Sequence, residues 1–388
     1  MTRSSVLGLA VFACVSFAYL TSEMLPIGLL PRIARSFDVS LPTAGMLLSA
    51  YALVVTLGGP PLTAMLGNVP RKRLLLVLVA ALAFTATMSA LAQTYAFLLA
   101  ARLLNALAHG VFWAIVSSSA ASLVAPSQRA IAIAIVYSGS SLGIIAGVPF
   151  ATFVGERYGW HAGFWCVAGV AALAFGALSA TDDIPAGRAT SFADIRTLLA
   201  DVSFLRLLLS TALVVIGHFT AFSYFAPLLA RDDAASVGGV PVLLLVFGIA
   251  GFGSNFVFGA LANRRGVVAI VTASAVMIAA LLLLALDRGA FGPIALVALV
   301  AVWGAGTGGV VVALQTRVLA AQPDRPDVAS ALNSSAFNFG IGGGALVGGI
   351  VIGLGWLESL PVAAAILIAP AIALQVVPAP SRPARRRS

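Results

Sequence analysis

FAYLTSEMLPIGLLP, residues 17–31, reads as half of a membrane-crossing helix, yet it carries Glu23. An ionised carboxylate in hydrocarbon costs several kcal/mol. Such a group is kept where it works or where it is paired. The rest of the chain fixes the surroundings of this stretch. Of 388 residues, 61% are hydrophobic and 9% charged, with mean hydropathy +1.06. A soluble globule of that composition would have too little polar surface to face water. The sequence is that of a polytopic membrane protein.

Apolar runs of about 20 residues or more, long enough to cross a bilayer, fall at 6–30, 42–66, 73–93, 95–123, 130–154, 162–180, 205–229, 239–261, 266–286, 291–316, 328–354 and 359–378. Twelve spans are therefore expected. They must be helices, because lipid tolerates no open sheet edge. The fold class is an all-α membrane protein. Its layout is a first six-helix half (1–180), a linker (181–204), a second six-helix half (205–378) and a basic tail (379–388).

Net charge is +9, but nucleic acid is excluded as a partner by where the charge sits. Arginines, with the sole lysine Lys72, fall in short clusters between apolar runs. Arg3, Arg71–Arg73, Arg129, Arg264–Arg265 and the tail arginines share one side. Arg32, Arg35, Arg157, Arg231 and Arg288 are left on the other. This bias predicts both termini in the cytoplasm, the first helix being retained rather than cleaved as a signal. Cys14 and Cys166 lie in apolar runs, so no disulfide framework follows.

The chain also repeats itself. Pairing Pro26 with Pro227 sets SEMLP (22–26) against SYFAP (223–227). Pairing Pro126 with Pro323 sets Gly143 against Gly340 and Gly147 against Gly344. Pairing Gly67 with Asn263 aligns the basic loops after the second and eighth spans. Two halves in the same orientation are implied. Transporters are often built from such repeats, with substrate bound between them near the midplane.

Enzyme motifs do not survive their context. GSSLG (139–143) matches a nucleophile elbow but lies within an apolar run, where Gly139, Gly143 and Gly147 mark one close-packing helix face. GAGTGG (304–309) has no strand before it and no acid about 20 residues on. No Gly-Lys-Ser/Thr loop exists, so this chain alone does not run on ATP. No metal cluster or cofactor motif reads out.

Glu23 alone among the acids lies deep, about 12 Å below the mouth marked by Pro31 at 1.5 Å per residue. Arg102, in the fourth span, falls at nearly the same depth. The pair is expected to share a cavity, directly or through water. A structural change that altered burial of Glu23 and its distance from Arg102 would load and unload a proton. A fixed ion pair is the bland alternative. Arg102, Asn105 and His109 share one helix face, with Trp113 one turn on. His218 lies at mid-span in the second half, and Tyr224 takes the repeat position of Glu23. Asn255, Gln315, Asn333 and Asn338 add amides there. Uncharged hydrogen-bonding groups of this kind suit a neutral, hydroxyl-rich substrate. Interhelical glue is the alternative for each.

TSEMLPIGLLP (21–31), SAYALVV (49–55), RLLNALAHGVFWAI (102–115), GVPFATFVGERYGW (147–160), HFTAFSY (218–224), LQTRVLAAQPDRPDVASAL (314–332) and FNFGIGGGALVG (337–348) carry a family likeness. Over its full length the chain resembles the major facilitator superfamily, in its drug:proton antiporter branch, and most nearly the bacterial sugar efflux transporters. The resemblance implies proton-driven export by alternating access, with Glu23 as carrier, Arg102 as the fourth-helix arginine, and His109 and Trp113 on the cavity wall. The family loop G-x-L-x-D-R-x-G-R-K reads TAMLGNVPRKR (63–73) here. Gly67 stands for its aspartate and Pro70 for its second glycine. Gating is expected to rest on Arg71, Lys72 and Arg73, which can engage helix-end carbonyls, and on Gly143, Gly147 and Pro149. His161 follows GW where arginine is usual.

The expected protein is a monomeric inner-membrane transporter, not an enzyme, exchanging protons for a small neutral solute such as a sugar. Alternatives are a multidrug or nucleoside exporter of the same fold, an uptake symporter, a membrane serine hydrolase built on Ser141, and a non-transporting sensor.

Overall fold

A computed structural model describes residues 3–66, 69–125, 128–184, 192–230, 235–287, 291–323 and 325–376. Gly67, residues 185–191 of the linker and the tail 379–388 lie outside them. Among the described residues the chain is helical, without strands. The long helices are apolar on every side, as a helix must be where lipid replaces water. In order they are α1 (Arg3–Ser36), α2 (Leu41–Met65), α3 (Arg71–Ala90), α4 (Tyr95–Ser122), α5 (Arg129–Leu142), α6 (Val148–Tyr158), α7 (Trp160–Ser179), α8 (Phe192–Leu199), α9 (Val202–Phe222), α10 (Phe225–Leu229), α11 (Gly239–Asp287), α12 (Gly292–Ala321), α13 (Pro326–Gly353) and α14 (Leu360–Val376).

Eleven stretches among the described residues are long and apolar enough to cross a membrane, against twelve expected. The twelfth is present as well: 239–261 and 266–286 are two helices that meet within α11 with no loop between them. The helix turns there at Arg265 alone (φ −143°, ψ 68°). Gly266, next to it, leaves room for a side chain of α12: a Cβ on it would lie 2.9 Å from Cγ and Cδ of Arg317.

Prolines shape three other spans. Pro149 has no N–H for the carbonyl four residues back. Gly143–Gly147 there form a π turn linking α5 to α6. Pro227 leaves the Ser223 carbonyl in the same position, and the seventh span breaks at Ser223–Tyr224 between α9 and α10. Pro26 and Pro31 lie inside α1, which nonetheless runs unbroken.

Helix pairs pack through glycine in matching fashion. A Cβ on Gly139 would lie 1.9 Å from the Ala13 carbonyl oxygen, and one on Gly147 2.1 Å from Thr21 Oγ1, so α5 and its π turn sit directly on α1. Gly340 and Gly344 put α13 on α9 in the same way, with Gly344 2.4 Å from the Ile216 carbonyl by the same measure. Backbones this close exchange many dispersion contacts, which is what drives association in lipid.

The loops carrying Arg71–Arg73, Arg129 and Arg264–Arg265 mark one end of the bundle, here the basic end. The opposite, far end holds Ser36–Ser40 and Gly159. Toward the far end the first-half helices meet the second-half helices. Gly342 faces Ser49 and Ala52 of α2, Gly349 faces Pro42, and Gly45 faces Tyr224. Met24, Ile27 and Leu30 of α1 join one apolar cluster with Phe219, Phe222 and Phe225. The expected gating cations do not cross this seam. Lys72 Nζ donates to the Thr181 carbonyl beyond the end of α7, where the helix dipole favours a cation. Arg71 is buried with Nη1 unpartnered, and Arg73 is exposed.

Candidate proton and substrate site

The site grows from the first proline of α1. Without an N–H on Pro26, the Ser22 carbonyl has no helical partner. Arg102 supplies one. Its Nη1 donates to the Ser22 carbonyl and its Nη2 to the Glu23 carbonyl at 2.9 Å. Asn105, three residues on, donates from Nδ2 to Ser22 Oγ at 2.9 Å. The face 102, 105, 109 of α4 thus grips α1 where its own ladder is open. Charge-assisted bonds of this kind are roughly twice as strong as neutral ones.

Glu23 and Arg102 share this buried cluster, as expected, but no direct bond joins the guanidinium to the carboxylate. The Arg102 guanidinium is spent on backbone oxygens and lies 4.4 Å from the ring centre of Tyr51, a cation–π position. The Glu23 carboxylate faces His109 instead, with Oε2 3.7 Å from Nε2. Exposure of Glu23, His109 and Arg102 is only 3%, 2% and 1%. Edges of Tyr19 and Tyr51 meet the imidazole, each with ring centres 5.5 Å away. Tyr19 is itself fixed by its hydroxyl, which donates to the Leu78 carbonyl at 2.7 Å. Glu23 Oε1, His109 Nδ1, Tyr51 OH, Asn105 Oδ1 and Arg102 Nε have no hydrogen-bond partner. Buried polar atoms are almost always satisfied. This many in one cluster mark a place built to receive protons, water or a polar solute. Trp113 borders the cluster, half-buried between His109 and Tyr137.

The second-half candidates do not join it. His218 is buried in an aromatic box of Phe219, Phe222, Phe247 and Trp303. Trp303 Nε1 donates to its Nδ1 at 3.2 Å, which leaves the ring proton of neutral imidazole on Nε2. Tyr224 is wholly buried in the far-end seam, and its hydroxyl donates to the Ala345 carbonyl at 3.1 Å. Asn333 Nδ2 donates to Gln315 Oε1 at 2.7 Å, and its Oδ1 accepts from Thr211 at 2.7 Å. Gln315 in turn donates to Ser330 Oγ at 3.0 Å. These amides satisfy one another and tie α9, α12 and α13 together. Asn338 donates to its own helix, to the Ser334 carbonyl, and Asn255 is half-buried. Gly143, Gly147 and Pro149 form the bent segment that packs on α1.

Tyr19 and Tyr51 were not singled out from the sequence. Tyr19 stands one turn before Glu23, and Tyr51 lies in SAYALVV, so helical spacing from the carboxylate could have found the first.

The Major Facilitator Superfamily model matches residues 11–326. A probable sugar efflux transporter of Helicobacter pylori is 35% identical over 351 residues, covering 90% of this chain and 89% of that one. The inner membrane transport protein YdhP of Escherichia coli is 36% identical over 386 residues, covering 97% and 96%. The nucleoside transporter NupG, solved as a point mutant, superposes with a TM-score of 0.76 at 14% identity, covering 96% of this chain and all of that one. At that identity the likeness speaks for the fold alone. The protein is a multi-pass membrane transporter and not an enzyme, and it belongs to the major facilitator superfamily.

Proposed function

We propose that this transporter exports a small neutral solute, sugar-like in chemistry, in exchange for protons entering through Glu23. One observation carries the reading. The Glu23 carboxylate is buried with Oε1 unpartnered, and the nearest full cation, Arg102, is committed to backbone carbonyls. A carboxylate so placed is satisfied by a proton, and its neighbour His109 Nε2 at 3.7 Å is a group through which that proton can pass. The sugar class is supported by the names of relatives alone. The inner membrane is supported by another relative's name, and a cytoplasmic basic end by the arginine bias. The protein works as a monomer.

The cycle follows from these placements. When the far end opens, Glu23 takes a proton from outside, and the neutral carboxyl lowers the cost of closing that end again. Facing inward, Glu23 releases the proton and the solute binds beside His109 and Trp113. The test is transport in proteoliposomes under an imposed pH gradient, with a labelled pentose or disaccharide, comparing wild type with Glu23→Gln. Gradient-driven movement should vanish in a variant that still folds. Uphill transport retained by Glu23→Gln would refute the proton role. Nucleosides moved in place of sugars would refute the cargo class.

A further inference from the structure

α5 stands between a helix of its own half and one of the other. Gly139 and Gly143 set one face on α1, where a Cβ on Gly143 would lie 3.1 Å from the Phe17 carbonyl oxygen. The opposite face meets α11 at the π turn. A Cβ on Gly248 would lie 2.9 Å from Ile145 Cα and 3.3 Å from the Ile144 carbonyl oxygen. α11 packs on the π turn and on α6 but little on α5 itself. The two helices therefore part toward the basic end.

Tyr137 and Ser141 continue the α5 face that meets α11, two turns and one turn from the contact. Phe252 and Asn255 continue the α11 face from Gly248 in the same way. At 1.5 Å per residue, Tyr137 and Asn255 each lie about 11 Å from the contact. They stand at one depth on opposite walls. Tyr137 is 42% exposed and Phe252 43%. Aromatic rings turned toward the facing helix and still open to this extent mark a gap between the halves.

Tyr137 also adjoins the Glu23 cluster. Its ring centre is 5.6 Å from that of Trp113, which is 6.1 Å from that of His109. Ser117 Oγ donates to the Tyr137 hydroxyl at 3.4 Å, which leaves the phenol proton free to donate. Ser141 Oγ turns back to the Tyr137 carbonyl. Across the gap the half-buried Asn255 offers an amide donor and acceptor. Neither wall carries a charge: the sequence has none over 130–155 or over 239–263. An ionic solute finds no partner on them. A neutral ring finds an aromatic face for its C–H groups and hydrogen-bonding groups for its hydroxyls.

We propose that Tyr137 and Asn255 hold the transported solute between them, a neutral ring bearing hydroxyl groups, with its C–H face on the tyrosine ring beside Trp113. Closure of the basic end brings the two walls together on it. That the held molecule is the transported one rests on the function proposed above, whereas the facing of the two residues does not.

The experiment joins the walls chemically. Tyr137→Cys/Asn255→Cys is made in the full-length protein and treated in membranes with a short bifunctional maleimide. The two single variants control for Cys14 and Cys166. Xylose, lactose and uridine are the probes. The pair should cross-link, and a transported probe should slow the reaction severalfold. In proteoliposomes Tyr137→Phe and Asn255→Ala should each raise KM about two- to tenfold, the loss of one hydrogen bond. kcat should change little, as expected when binding alone is weakened. Slowing by uridine and not by either sugar would support the paired residues while refuting a sugar as cargo. Failure to cross-link in a variant that folds and inserts would overturn the facing of the walls. Cross-linking that none of the three probes slows, or KM unchanged in both variants, would overturn their role in holding solute.

Discussion

Gly45 of α2 is where the far-end seam can be forced. Tyr224 fills the space beside it: a Cβ at position 45 would lie 2.1 Å from the Tyr224 hydroxyl oxygen and 2.8 Å from Cζ. The tyrosine cannot easily swing away. Its hydroxyl is bonded to the Ala345 carbonyl, and Gly348 and Gly349 already let the ring pass at what would be 2.8 and 2.7 Å from their own Cβ positions. Gly45→Ala therefore overpacks the seam. Overpacking of a tight core costs about 1–3 kcal/mol. The clash exists only while α2 faces Tyr224, so the cost falls on the far-end-closed state and not on the open one. That shifts the equilibrium toward far-end opening by about five- to 150-fold. Spin labels at Ser40 and Leu354, measured by double electron–electron resonance, would read the separation of α2 and α13. Gly45→Ala should enlarge the long-distance population, and Tyr224→Ala in the same background should restore the wild-type distribution. An unchanged distribution in Gly45→Ala, in a protein that folds normally, would refute the reasoning that this contact holds the end shut.

Other expectations are simpler. Gly139→Ala sets a methyl against the Ala13 backbone, so it should destabilise by about 1–3 kcal/mol. Gly176→Ala, with nothing within 4 Å, should stay within about 0.5 kcal/mol, and thermal unfolding in detergent would compare them. Arg102→Lys keeps the charge but loses the fork shared by the Ser22 and Glu23 carbonyls. Proton-driven transport should drop about tenfold or more while the protein still folds, as vesicle flux would show. Asn333→Leu strands Thr211 and Gln315 inside the bundle and should cost about 1–2 kcal/mol of stability by unfolding assay.

Much of the fold was legible because lipid imposes simple rules. Run length located the spans, and the glycine period at 139, 143 and 147 located the face of α5 that meets α1. The break between the eighth and ninth spans was legible too: the non-helical Arg265 falls in the polar stretch ANRRG (262–266), between the apolar runs 239–261 and 266–286. In the site, depth brought Glu23 and Arg102 to one level but could not say which oxygens the guanidinium would choose. That choice depends on Pro26, whose missing N–H frees a carbonyl nearer to hand than the carboxylate. The amides Gln315 and Asn333 looked like a solute lining because sequence shows polar groups without their partners. Their partners turned out to be each other.

The repeat makes the role of Arg102 clearer by showing its absence. Pro26 and Pro227 occupy matching places, and each removes the helical partner of a serine carbonyl, at Ser22 and Ser223. In the first half Arg102 reaches across from α4 and bonds the freed oxygen, and α1 continues unbroken. In the second half α12 has one cation, Arg317, close to its basic end and far from that level. There the helix gives way at Ser223–Tyr224, and Ser223 Oγ stays unpartnered. The same proline thus lies within an unbroken helix where a cation bonds the freed carbonyl and beside a break where none does. The unbroken copy carries Glu23 beside a guanidinium that is bonded to backbone carbonyls, the arrangement on which the proposed proton role rests. The broken copy turns a tyrosine into the seam between the halves. An arginine that bonds the freed carbonyl is, by that placement, not bonded directly to the Glu23 carboxylate.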